Sequence, residues 1–150
     1  LNRKPVNKCV AGIIGSPGMN LLQEKKKKNG KLFFATSTMQ LELPQTISPD
    51  LQPYCNQKII LGIRPENIYS ATGNEPDSKM AQSEAMVEVV EPLGNETFVY
   101  LNSGDCTYVA RMKAGTVPAV GNKQKLAIDM SKAHFFDLST EKSILNRTRQ

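Results

Sequence analysis

The fold class of this chain is decided by the stretch Lys58-Ile59-Ile60-Leu61-Gly62-Ile63-Arg64-Pro65-Glu66. Its apolar run is short and rich in β-branched side chains, which favours a strand buried on both faces over a helix. Pro65 ends the run because its ring fixes the backbone and its nitrogen has no hydrogen to donate. The stretch therefore predicts a short buried strand that a turn terminates.

Further short segments of the same kind lie on both sides of this strand, each bounded by turn residues. The predicted strands cover residues 19–23, 31–35, 39–43, 58–63, 85–93, 97–101, 106–112, 125–128 and 133–138. Such regular spacing is typical of an antiparallel barrel or sandwich. We favour a barrel because closure removes the edges that many short strands would otherwise expose.

The segments between the predicted strands indicate one helix and several turns. Pro5 and the apolar residues up to Ile14 have partial helical periodicity, which predicts a short N-terminal helix that ends at Gly15-Ser16-Pro17-Gly18. Asn29-Gly30 predicts a tight turn that joins strands 19–23 and 31–35. Prolines make 45–56 a loop or a single helical turn.

Composition and charge favour a soluble globular protein. Of 150 residues, 39% are hydrophobic and 22% charged, and no apolar run approaches the roughly 20 residues that cross a bilayer. The net charge is +5, but four of the nineteen basic residues are Lys25 to Lys28, which we interpret as a solvated hairpin tip. The sequence has no second basic stripe with interleaved aromatics, so we predict no nucleic-acid partner.

The sequence contains no residue pattern that carries catalysis. It lacks a phosphate-binding loop, and its single histidine, His134, precludes a multi-histidine metal site. Its three cysteines are far apart, which favours reduced thiols over a disulfide framework. Glu88 and Glu91 are three residues apart, which on a strand predicts opposite faces. We predict no catalytic, cofactor or metal site and no enzyme activity in this chain.

Three stretches together resemble a known family. They are PVNKCVAGIIGSPGMNL at residues 5–21, Leu61-Gly62-Ile63-Arg64-Pro65-Glu66-Asn67-Ile68, and Glu88-Val89-Val90-Glu91-Pro92-Leu93-Gly94-Asn95-Glu96-Thr97. Their order and spacing resemble the C-terminal regulatory domain, the transport-associated OB (TOBE) domain, in the ATP-binding subunits of maltose-type and glycerol-phosphate-type ABC importers. The chain also looks like a piece of a longer polypeptide, since it starts at Leu1.

The resemblance implies an all-β fold, with OB-fold-like (MOP-like) antiparallel barrels and the short N-terminal helix. Residues 1–17 would be the tail of the nucleotide-binding domain. Residues 18–150 would form the regulatory TOBE domain, as two intertwined half-barrels split near 70–83.

The resemblance further implies a regulatory and dimerisation module in the ATP-binding subunit of a carbohydrate-type importer. ATP and Mg²⁺ would bind in the missing domain, which would also contact the permease subunits. The module would form a homodimer, dock a phosphotransferase-type regulator, and lie in the cytoplasm at the inner face of the plasma membrane.

The candidate regulatory and interface residues are Lys8, Arg64, Glu66, Glu91, Asn95 and Glu96. Turn chemistry at strand ends explains Arg64, Glu66 and the Asn95-Glu96 pair as well as recognition does. For Lys8 and Glu91, a role in docking transport regulators is implied by the resemblance alone.

A free-standing OB-fold protein that binds a ligand or single-stranded nucleic acid is the alternative. Its base-stacking sites would need exposed aromatic side chains. The chain has nine tyrosines and phenylalanines in all, and the pairs Phe33-Phe34 and Phe135-Phe136 lie in strand-like runs that predict core positions.

Overall fold

The computed structural model describes residues 9–12, 19–23, 26–28, 31–36, 38–55, 57–71, 80–104, 106–113 and 118–145. The strands in this part of the chain are β1 (Cys9–Gly12), β2 (Met19–Gln23), β3 (Lys26–Lys28), β4 (Lys31–Ala35), β5 (Gln40–Glu42), β6 (Ile59–Ile63), β7 (Ile68–Ser70), β8 (Ala81–Leu93), β9 (Glu96–Asn102), β10 (Thr107–Lys113), β11 (Lys123–Ile128) and β12 (His134–Asp137). The helical elements are one short α-helix, α1 (Ser48–Leu51), and 3-10 turns at Gln52–Tyr54, Pro65–Asn67 and Met130–Lys132.

The strand that the opening stretch predicts lies between two others. β6 pairs with β2 on one side and with β12 on the other, in the sheet order β1-β2-β6-β12. All five of its residues are buried. The following Pro65 occupies the first turn of a 3-10 helix, after an extended Arg64. The prediction of a fully buried strand that ends at Pro65 is confirmed.

The larger sheet has the order β10-β9-β8-β11-β7, and all its pairings are antiparallel. β7 ends at Ser70, where the predicted split at 70–83 begins, and it pairs with β11, which follows that range. β6 likewise precedes this range and pairs with β12, which follows it. The all-β prediction of a nearly closed antiparallel barrel is confirmed. The domain boundaries, including the split into half-barrels, stay a prediction.

A single apolar cluster joins the sheets. The rings of Phe34 in β4 and Phe135 in β12 are fully buried, with centroids 6.4 Å apart. Leu101 of β9 and Leu126 of β11 belong to the same cluster. Burial of these side chains is the main favourable term in folding, because each removes apolar area from water.

Two predictions at the N-terminal end were wrong. The predicted helix over residues 5–14 is replaced by β1 in its described part, Cys9–Gly12, which pairs with β2. Strand pairing overrides the weak helical periodicity there, since a short isolated helix is marginal in water. The second wrong prediction is the hairpin between residues 19–23 and 31–35. β2 pairs with β1 and β6, whereas β4 belongs to another sheet, so this hairpin does not form.

The described part of the lysine run, Lys26–Lys28, is strand β3. β3 pairs with β4, with Lys28 opposite Lys31. The predicted turn at Asn29-Gly30 lies outside the described residues. Lysines at the end of a sheet order are a common device against edge-to-edge aggregation.

The turn between β8 and β9 follows the prediction. Leu93 pairs with Glu96, and Gly94 has a φ of 71° at the first central position. This positive φ is the conformation that two-residue type II′ hairpins require and that glycine adopts without strain. The turn sets the alignment of β8, the longest described strand of the sheet, with β9.

We expect Gly94→Ala to lower the free energy of unfolding by about 1 kcal/mol, measured by urea denaturation. A Cβ at this position meets no atom within 4 Å, so the loss is conformational and not steric. Gly94→Asn is the matched control and should lose less, because asparagine tolerates positive φ. Equal stability of Gly94→Ala and wild type would contradict this account of the turn.

Candidate interaction face

A β-bulge in β8 shapes the exposed side of the larger sheet. The pairing with β9 shifts between Val87 and Val89, so that Val87 lies opposite Leu101 while Val89 lies opposite Tyr100. Glu88 is the extra residue. A bulge of this kind leaves one residue unpaired and bends the strand.

The bulge divides the apolar residues of β8 between two sides. Val87 is 1% exposed and Val90 packs against the core, whereas Val89 between them is 50% exposed. Without the extra residue, Val87 and Val89 would lie on the same side of the strand, because side chains two residues apart share a face. The bulge therefore places a valine on the surface and keeps the core filled.

Val89 begins an apolar row that crosses three strands. Tyr100 of β9 lies opposite Val89, and Val109 of β10 lies opposite Tyr100. Tyr100 and Val109 are half-buried. We call the exposed side of β8, β9 and β10 around this row the outer face.

Two carboxylates of β8 border the row. The Tyr100 hydroxyl donates to Glu91 Oε1 at 3.0 Å, and Asn102 Nδ2 donates to Glu88 Oε2 at 2.7 Å. Tyr100 and Asn102 are two residues apart on β9 and share one face. Both glutamates therefore lie on the outer face, and the prediction of opposite faces was wrong because the bulge changes the alternation.

The partners of these two carboxylates are neutral. In the part of the chain that the structure describes, neither Glu88 nor Glu91 forms a salt bridge. Their charges are thus available to a cationic partner. The hydrogen bond to Glu91 raises the pKa of Tyr100 above its usual 10.0, with further contributions from burial and from the negative charge of Glu91.

Arg111 of β10 joins two of the predicted site residues at one end of the outer face. Its Nε lies 3.4 Å from Glu96 Oε2, and its Nη2 lies 4.0 Å from Glu66 Oε1. The three side chains are between a third and a half exposed, so the stability contribution of each bridge is small. The cluster ties the turn after β6 to the hairpin of β9 and β10.

The structure brings together some predicted site residues and not others. Glu91 lies on the outer face, and Glu66 and Glu96 meet through Arg111. Asn95 is an exposed turn residue, and Arg64 is half-buried before the 3-10 turn. Lys8 lies outside the described residues. The interface role of all six residues stays a prediction.

Sequence reasoning missed four residues of this region, namely Val89, Tyr100, Asn102 and Arg111. The signal for Arg111 was present: it alternates with Tyr108, Ala110 and Met112, which are buried. Correct alignment of β9 and β10 across their turn would have placed Arg111 beside Glu96. Nothing in the local sequence marks the bulge, so the surface position of Val89 had no comparable signal.

The described residues provide neither a cluster of metal ligands nor a membrane-spanning helix. They contain no group of three or more His, Cys, Asp or Glu side chains that could hold a metal ion. None of their helices has the length and hydrophobicity to cross a bilayer.

We expect the pKa of Tyr100 to fall in Glu91→Gln and further in Glu91→Ala. Glutamine retains an acceptor oxygen but not the charge, whereas alanine removes both. An NMR titration of ring-labelled tyrosine measures this pKa, with Tyr100→Phe identifying the resonance. The pKa of Tyr100 is higher in the folded chain than in the unfolded chain. The stability that the Tyr100–Glu91 hydrogen bond contributes is therefore complete below about pH 10 and is lost as pH rises through the folded pKa. An unchanged pKa in Glu91→Ala would contradict the assigned hydrogen bond.

Family comparisons agree with this architecture. The model of the MalK OB fold domain matches residues 15–68, and the model of the TOBE domain matches residues 61–136. The two matches overlap at 61–68, the stretch that includes the end of β6 and the turn at Pro65.

The relatives are ATP-binding proteins of ABC transporters. YurJ of Bacillus subtilis, described as uncharacterized, is 37% identical over 145 residues, 93% of this chain and 39% of YurJ. The multiple sugar-binding transport protein MsmK of Streptococcus mutans is 37% identical over 150 residues, 96% of this chain and 38% of MsmK. The trehalose/maltose import protein MalK of Thermococcus litoralis is 35% identical over 144 residues, 94% of this chain and 38% of MalK. The chain thus spans less than two-fifths of the length of each relative.

A solved structure shares the fold. The cytoplasmic molybdate-binding protein ModG superposes with a TM-score of 0.59, covering 77% of this chain and 94% of ModG, at 11% sequence identity. This likeness concerns the fold alone. With a MalK-type OB fold over its first half and a matching TOBE domain over residues 61–136, the chain belongs to the TOBE domain family found in the ATP-binding subunits of sugar ABC transporters.

Proposed function

We propose that this chain is the regulatory and dimerisation module of the ATP-binding subunit of a carbohydrate ABC importer. Support comes from relatives whose names specify sugar transport and which are similar over more than nine-tenths of this chain. ATP and Mg²⁺ would bind in a separate nucleotide-binding domain, which would also contact the permease subunits. The module would then lie in the cytoplasm, peripheral to the inner face of the plasma membrane.

The outer face supports self-association. Val89 is 50% exposed and Leu93 at the end of the same strand is 52% exposed, so a partner surface that covered them would remove apolar area from water. Few apolar side chains of the described residues are this exposed. The row from Val89 through Tyr100 to Val109 would form the centre of the contact.

The charges on the outer face are arranged for a second copy. β8 carries Glu88 and Glu91 on one side of β9, and β10 carries Arg111 and Lys113 on the other side of β9. A two-fold axis along β9 would place β8 of one copy over β10 of its partner, because rotation about that axis exchanges the two sides. Opposite charges would then face each other across the contact.

Such a dimer would serve transport through effective concentration. Two ATPase domains that separate after each turnover would remain close if their regulatory modules stayed associated. A regulator that bound between module and ATPase domain would favour one arrangement through a rigid-body movement. A phosphotransferase-type regulator is the partner that the family resemblance implies, with Lys8 and Glu91 as its candidate contacts.

The alternative, a free-standing nucleic-acid-binding barrel, has less support. Phe34 and Phe135 are fully buried, so neither ring can stack on a base. The carboxylate of Glu91 accepts a hydrogen bond from the half-buried Tyr100, and Glu88 lies on the same face; both charges would repel phosphates.

We expect Val89→Asp to weaken self-association of the chain by about tenfold or more, measured by sedimentation equilibrium. A charge at this position would have to be desolvated in the apolar centre of the contact. Leu138→Asp is the matched control, because Leu138 is 41% exposed and lies beyond β12, away from the outer face. Its association should equal that of wild type.

Two results would contradict the proposal. One is a wild-type chain that stays monomeric at every accessible concentration. The other is a dimer that Leu138→Asp disrupts and Val89→Asp leaves intact, since that would place the contact elsewhere.

A further inference from the structure

A cleft opens beside the first half of β8. Its volume is about 560 Å³, within the range of small-molecule sites. Three segments form its walls: residues 38–40 before and in β5, residues 82–86 of β8, and residues 102–104 after β9, with Lys123 of β11 at the rim. The cleft is distinct from the apolar row of the outer face.

Strand lengths explain why the cleft exists. β9 ends at Asn102, opposite Met86, so the preceding residues of β8 have β11 on one side and, within the described residues, no strand paired on the other. β5 is the last strand of its own sheet. Two strand edges therefore border one opening.

The wall after β9 is held in place. Asn102 Oδ1 accepts a hydrogen bond from Gly104 N at 2.7 Å, while Asn102 Nδ2 donates to Glu88. Gly104 has a φ of 108°, and a Cβ there would lie 3.3 Å from Thr38 Cγ2. A glycine thus allows this turn to approach the segment before β5 closely.

Several polar residues line the cleft. They include two with carboxamides, Gln40 and Gln82, one with a hydroxyl, Ser83, one with a carboxylate, Glu84, and one with an ammonium group, Lys123. Within the described part of the chain, none of these five side chains has a hydrogen-bond or ion-pair partner. Buried Met39 and Ala85 provide an apolar floor.

We infer that this cleft is a binding site for an uncharged, polyhydroxylated small molecule of the saccharide class. One carboxylate and one ammonium balance in charge, which disfavours a ligand with net charge of either sign. Carboxamides both donate and accept, as hydroxyl groups do, and the apolar floor matches the C–H face of a sugar ring. Among the described residues that line the cleft, none is aromatic, so they offer no platform for a stacked nucleobase. The inference rests on the cleft and not on the proposed function.

The test is NMR titration of the isotope-labelled chain with a disaccharide, maltose, and separately with molybdate as an oxyanion probe. We expect maltose to shift the amide resonances of residues 82–86 and 102–104 saturably. Gln82→Ala and Lys123→Ala should each weaken maltose binding by about tenfold, since each removes hydrogen bonds to the ligand. Both side chains are on the surface, so the variants should fold.

Lys132→Ala is the matched control, because Lys132 is exposed, lies in the 3-10 turn Met130–Lys132 after β11 and is not among the residues that line the cleft. It should bind maltose as wild type does. Binding of molybdate alone, abolished by Lys123→Ala, would overturn the ligand class. Absence of saturable shifts with maltose, or equal losses in Lys123→Ala and Lys132→Ala, would overturn the site. Self-association of the chain, which tests the proposed function, is measured without sugar and is unaffected by either result.

Discussion

The extra residue in β8 is the constraint on which the surface of this protein depends. β8 pairs with β11 along its first half and with β9 along its second, and it must fill the core along both. With Glu88 as the extra residue, Val87 and Val90 both point inward, opposite Leu101 and Val99, and Val89 is released to the surface. The bulge also places the side chains of Glu88 and Glu91 together on the outer face.

The change of pairing partner along β8, from β11 to β9, also creates the cleft. Because β9 ends opposite Met86, the first half of β8 has no strand paired on that side within the described part of the chain, and polar residues of β8 lie there. The second half, past the bulge, carries the apolar row and the carboxylates of the outer face. One strand thus separates two candidate sites of different chemistry: a polar cleft for a small molecule and an apolar face for a protein partner.

The sequence predicted the parts of this structure that local chemistry determines. The buried strand β6, the proline that ends it and the glycine turn after β8 follow from residue type and spacing. The strand pairing was not local. The helical periodicity near Cys9 lost to pairing with β2, and the turn signal at Asn29-Gly30 could not show that β2 pairs elsewhere. The candidate site was predicted in part, because the family resemblance pointed to Glu91 and Glu96. Their partners, Tyr100 and Arg111, could not be predicted, since they meet these glutamates only through the register of β9 with its neighbours.

The most direct test of this account is the register of β8 against β9 in solution, from cross-strand nuclear Overhauser effects. With the bulge, Val87 contacts Leu101, Val89 contacts Tyr100, and Val90 contacts Val99. A regular strand that kept Val87 opposite Leu101 would instead bring Glu88 opposite Tyr100 and Val89 opposite Val99. Observation of the first set would support the account. Observation of the second would return Val89 to the core side and contradict the outer face.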